Sequence, residues 1–173
     1  MMKQALLQEF EHEAENTRKL LKAIPDSALG YRPQPELWSV AQLASHIVDI
    51  YYWYEGTFNL DTFDVLIHKS KNPNAPDLER AASFVEIFEE NYKLAKSAIE
   101  NSDEATYNND WKLVEGEKVW IGPMPKIIAI RSMLYNHLYH HRGELVAHLR
   151  ATGNKVPGLY GPTYDDKITV VEY

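Results

Sequence analysis

The sequence predicts an all-α protein: a four-helix bundle with a long crossover loop and a small β-hairpin before the last helix. Three observations carry that expectation. Four stretches place apolar residues at three- and four-residue spacings, two long connections separate them, and no repeat or composition break divides residues 1–173. With 173 residues, 45% of them apolar and 12% aromatic, the chain suffices for one domain with a sizeable core.

The first helix is expected from about Met2 to Ile24, where Leu6, Phe10, Ala14, Thr17, Leu20, Leu21 and Ile24 share one face. It must stop before Pro25, because a residue preceding proline is pushed out of the helical region. The second starts at Ser39, whose hydroxyl and Gln42 make a capping box. Its broad apolar face holds Leu43, Ile47, Ile50, Tyr51, Tyr54 and Phe58, with His46 and Trp53 on the shoulder. Residues 58–76 show no sustained period, and 69–76 read as the crossover loop. Asp77 is the expected N-cap of a third helix that runs to Asn101, with Phe84, Val85, Phe88, Tyr92, Ala95 and Ile99 inward. Trp111–Val114 and Glu117–Ile121 suggest two short strands around Glu115-Gly116. The fourth helix takes Pro125 into its first turn and Gly153 as its C-terminal cap, with Ile127, Ile130, Leu134, Leu138, Leu145 and Leu149 inward.

Composition removes several function classes. Eighteen Lys and Arg stand against 25 Asp and Glu, a net charge of -7, with no basic stripe to displace counterions from phosphates, so nucleic acid is not an expected partner. The absence of cysteine removes disulfides, thiolate metal sites and a Cys nucleophile, and fits a reducing compartment. Any metal must be held by nitrogen or oxygen. The start of the chain lacks the basic and apolar regions of a secretion signal. The longest apolar runs, such as Ile127–Ile130, fall far short of the roughly 20 residues that cross a bilayer. A cytoplasmic protein with no membrane partner is the expectation.

Chemistry concentrates in the fourth helix, where His137, His140, His141 and His148 fall within residues 135–148. At roughly 100° per residue, His137 and His141 lie about 40° apart and one turn displaced, on the inward stripe. This is the spacing by which one helix offers two imidazoles to one metal. A third ligand must come from another helix, and His46 is the natural donor. Three neutral imidazoles leave positions for water, the open arrangement of a catalytic site. The alternative is a set of core histidines satisfied by hydrogen bonds.

The other polar residues read as follows. His140 faces water or a partner subunit, His148 sits at the bundle end, and His12 and His68 belong to the surface. Glu144 is either a solvated charge or a base or imidazole partner. Asp49 reads as an exposed carboxylate, with orientation of an imidazole as its second reading. Tyr51 to Tyr54 read as core, with a phenol reaching the site as the lesser reading. Arg131 and Arg142 are conceivable anion contacts, but Arg142 is expected to point away from the inward stripe, to the surface or an interface.

Several features resemble the DinB/YfiT-like metalloenzymes: Trp38-Ser39 with His46 seven residues on, His137-x-x-x-His141-Arg142-Gly143-Glu144-Leu145, and Leu149-Arg150-Ala151-Thr152-Gly153 with Pro157 and Tyr160-Gly161 beyond. The resemblance covers nearly the whole chain. It implies an up-down-down-up four-helix bundle, a divalent metal held by His46, His137 and His141, and a homodimer. Relatives include S-transferases and an isomerase that use low-molecular-weight thiols, and proteins described as metal-dependent hydrolases. The expected function is therefore a metal-dependent enzyme acting on a small-molecule substrate, either a hydrolase or a thiol S-transferase with such a thiol as cosubstrate. The other class is a non-catalytic metal-binding bundle acting as a stress-linked sensor or binding protein. Zinc is the favoured ion, followed by nickel, iron or manganese.

Overall fold

The computed structural model describes residues 2–71 and 75–166. The protein is mostly helical, 62% helix, with a small three-stranded sheet. Helix α1, Met2–Lys22, ends as Pro25 requires. Helix α2, Val40–Tyr52, begins at Ser39 with both halves of the predicted capping box formed: Ser39 Oγ accepts from the Gln42 amide and Gln42 Oε1 from the Ser39 amide. A short helix, α3 (Tyr54–Phe58), continues its line.

Residues 58–71, which show no sustained period, hold regular structure. They contain strand β1 (Thr62–Asp64) and helix α4 (Val65–Lys71). The centre of the predicted loop, 72–74, lies outside the described residues. Strand β1 pairs in parallel with β2 (Asp110–Glu115), which pairs antiparallel with β3 (Lys118–Pro125). The hairpin is as expected, but its turn is Gly116-Glu117, one residue later than read, and the third strand was not anticipated.

Helix α5 spans Ala81–Asn101 and begins four residues after Asp77. Its Ala81 amide is capped from a distance, by the Asp26 carboxylate at 2.7 Å, while Asp77 accepts from the Glu79 amide at 2.9 Å. Asp77 is therefore a turn residue, not the N-cap. The last helical stretch has three parts: α6 (Lys126–Ala129), a π-helical segment (Ile130–Asn136) and α7 (His137–Ala151). Pro125 precedes this stretch as its N-cap. Gly153 takes φ 77°, and its amide bonds Arg150 O while that of Asn154 bonds Leu149 O. These two bonds make a Schellman cap, whose left-handed residue favours glycine.

Helix α5 packs against α1 and α2, and α7 against α2 and α1. Phe10 forms the centre, fully buried and stacked on Tyr92 at 5.4 Å between ring centroids, with Tyr51 and Tyr54 tilted against it. Each such ring contributes on the order of 2 to 3 kcal/mol through burial. A second apolar cluster, Phe63, Trp111, Leu113 and Ala129, joins the sheet to the helices. Gly56 admits it: a Cβ there would lie 2.4 Å from the Phe63 ring. Among the described residues no helix is long and apolar enough to cross a membrane.

Candidate metal centre

The packing of α2 on α7 brings His46, His137 and His141 together, with one potential ligand atom of each within 4.8 Å of the others. His46 Nε2 and His137 Nε2 are 3.2 Å apart, and the ring centroids of His46 and His141, and of His137 and His141, are 4.6 Å apart. Nitrogens bound tetrahedrally to one ion at about 2.0–2.1 Å stand about 3.3 Å from each other, so the spacing suits a shared ion.

The outward nitrogens are held by protein. His137 Nδ1 donates to Met133 O at 3.2 Å, and His141 Nδ1 lies 2.7 Å from Glu144 Oε2. Such partners fix the tautomer that leaves Nε2 free to ligate. The Met133 carbonyl belongs to the π-helical segment, a local winding often found at functional sites. Trp38 and Trp53 flank the cluster: Trp38 lies 4.8 Å from His46 and 5.6 Å from His141, and Trp53 lies 5.4 Å from His46 and 5.5 Å from His137. Cavities open on two sides. Asp49, Ser45 and Gln42 help line one with His46, and Glu144 and His148 help line the other with His141.

The electrostatics favour neutral rings. Burial, reinforced by the neighbouring His141 and His137, pushes the His46 pKa down to about 4, against a smaller opposing effect of Asp49. Burial and His141 lower that of His137 too, while its bond to Met133 opposes. Neutral imidazole is the form that binds a metal. A three-histidine cluster of this chemistry could hold a metal ion. A second grouping, His140, His141 and Glu144, shares His141 but depends on His140, which is exposed as expected.

Among the neighbours, Glu144, Tyr51 and His148 follow readings open to them in the sequence, while His68 departs from its own. Glu144 is the partner of His141. Asp49 is half-buried and accepts from Trp53 Nε1 at 2.9 Å, with His68 Nε2 3.2 Å from its other oxygen. It therefore orients an imidazole, but that of His68, and His68 is not a surface residue. The Tyr51 hydroxyl meets Thr17 Oγ1 at 2.8 Å on α1, away from the cluster. His148 donates to or accepts from nothing in the triad; its Nδ1 bonds Glu144 O.

Arg142 is the largest correction. It is 1% exposed and faces α1, where Nη1 donates to Glu13 O at 2.8 Å and to Thr17 Oγ1 at 3.3 Å. Its Nη2 donates to the Glu13 carboxylate and to the Tyr160 hydroxyl, and Tyr160 also donates to Glu13 at 2.8 Å. Helix α7 touches both α1 and α2, so its buried face is wide enough to hold consecutive residues. Arg131 is held by Glu9 at 2.6 Å. The polar sequence around Glu13 gave no local sign of this pairing, which is visible only across the packed helices.

Comparison with known proteins agrees with this architecture. The DinB family profile matches residues 1–169. The chain is 26% identical over 160 residues to the uncharacterized protein YrdA of Bacillus subtilis strain 168, covering 92% of this chain and 89% of that one. Two crystal structures share the fold. A DinB-like protein of Bacillus cereus ATCC 10987 has a TM-score of 0.65 at 22% identity, over 89% of this chain and 95% of that one. The DinB-like protein YjoA of Bacillus subtilis has a TM-score of 0.68 at 13% identity, over 90% and 97%. With its profile matched almost from end to end, the chain belongs to the DinB family.

Proposed function

We propose that His46, His137 and His141 bind one divalent metal ion, zinc by preference, and that the protein is a metal-dependent enzyme acting on a small molecule. The observation that carries this is the gathering of one ring nitrogen from each histidine within 4.8 Å, with His46 Nε2 and His137 Nε2 3.2 Å apart, while the Nδ1 atoms of His137 and His141 are tied to Met133 and Glu144. When bound, such an ion supplies Lewis acidity that lowers the pKa of a water or a thiol toward neutrality.

The chain's own residues do the rest. His46 stays neutral by burial. Glu144 holds the ring of His141 in one tautomer and, at the lip of its cavity, is placed to take a proton from an entering water or thiol. Trp38 and Trp53 narrow the approach and lower the local dielectric, which strengthens every charge interaction there. The proposed reaction is hydrolysis of an ester or amide, or transfer of a low-molecular-weight thiol to an electrophile. We read the four long helical stretches as the up-down-down-up bundle, working in the cytoplasm as a homodimer.

The two reactions differ in their thiol dependence. Zinc-loaded protein is assayed on ester, amide and electrophile panels with and without small thiols, beside His137→Ala. Turnover that needs a thiol assigns the transferase, and turnover indifferent to thiols assigns the hydrolase. Metal binding without turnover on any panel would reduce the protein to a non-catalytic metal-binding bundle.

A further inference from the structure

Beside the histidine cluster, and sharing Trp53 and Met133 with its surroundings, the helices and the small sheet line a partly open apolar cavity of about 180 Å³. Trp53, Phe63, Val65, Trp111, Leu113 and Met133 line it. Two of these residues also belong to the surroundings of the metal centre. The Trp53 ring lies 5.5 Å from that of His137 and 6.2 Å from that of Phe63, and its orientation is fixed by its bond to Asp49. Met133 lends its carbonyl to His137 and is packed against the apolar cluster. Trp120, 49% exposed, stands at the outer edge.

We infer that this cavity is a specificity pocket, and that the substrate carries a compact, uncharged apolar group of about one aromatic ring whose attached reacting centre reaches the histidine cluster. The size and lining favour such a group. An engineered apolar cavity of about 150 Å³ stays dry and holds benzene. A charged or strongly polar group would meet there only the Thr57 hydroxyl, already bonded to Trp53 O, at a cost that selects against it. Ligand sites of this kind pair a mostly apolar pocket with a few convergent polar groups, and here the polar groups are the three imidazoles. The inference rests on the metal-site reading above and names the class of molecule that site would take.

The test uses hydroxamates, which chelate metals, with cobalt-loaded protein and the visible cobalt spectrum as readout. Benzohydroxamate and phenylacetohydroxamate are expected to bind at least tenfold more tightly than acetohydroxamate. Val65→Phe, which fills the cavity without touching the histidines, should abolish that preference while acetohydroxamate binding is unchanged. Met133→Ala should admit a naphthyl hydroxamate that the parent rejects. Equal affinity for aryl and methyl compounds would overturn the pocket and leave the metal site standing. Failure to bind cobalt at all would instead overturn the metal-site reading. In that case benzene binding to the metal-free protein decides the cavity: binding lost in Val65→Phe supports it, and no binding overturns it.

Discussion

His141 and Arg142 are consecutive on α7, both largely buried, and opposite in how their polar groups are satisfied. Arg142 meets a carboxylate, a backbone carbonyl and two hydroxyls, so that opposite charges close on each other and only its Nε lacks a partner. His141 meets two other imidazoles, like groups with no opposite charge between them, and one ring nitrogen of each lies within 4.8 Å of the others. The first arrangement is closed within the protein except at that Nε and joins α7 to α1. The second sets ring nitrogens against ring nitrogens and could hold a metal ion, which is why it reads as a candidate binding site. Burial alone does not separate structural from functional polar residues; the complementarity of their partners does.

Breaking the closed side should have the largest effect. Arg142→Ala leaves Glu13 buried without its cation and is expected to cost about 3–5 kcal/mol in urea unfolding. The metal content of whatever remains folded should be unchanged. A loss under 1 kcal/mol would show that the pair does not organise the helices.

The open side should respond to pH instead. The folded pKa of His46, about 4, lies below its ordinary value of 6.5, so the unfolded state takes up the proton first. Stability of the metal-free protein is therefore full above pH 6.5 and falls as pH drops from 6.5 toward 4, by about 3 kcal/mol for this group from the shift alone and about 2 kcal/mol once solvent screening of the partly exposed ring is allowed for. His46→Gln should flatten that stretch of the profile. An unaltered slope would mean that the ring is not held neutral by its surroundings.

The smallest effect is expected where the two sides meet the solvent. Glu144→Gln keeps a hydrogen-bond partner for His141 but removes the charge, and should weaken zinc affinity by about tenfold in a competition titration. No change would make Glu144 a surface charge after all.

How much of this was legible in the sequence depended on the range of the interaction. The Ser39–Gln42 capping box, the Gly153 cap and the His137–His141 spacing are local patterns and appear where they were read. His46 could be nominated because an incomplete pair needs a ligand from elsewhere. Strand β1 could not be read, because its partner β2 lies some fifty residues on and its three residues carry no period of their own. The capping of Ala81 by Asp26 is tertiary in the same way. Arg142 was misplaced because a helical wheel gives direction but not depth. It cannot show that a long cation meets Glu13 on one neighbour while the adjacent histidine meets His46 on another.

The central claim is that the open cluster is completed by a metal. It is tested most directly by elemental analysis of protein purified without a metal-affinity column, beside His46→Ala and His137→Ala. The account predicts near-stoichiometric divalent metal in the parent and its loss in both variants, with each variant still folded. A parent that is metal-free and cannot be reloaded would contradict it, leaving three core histidines satisfied by one another.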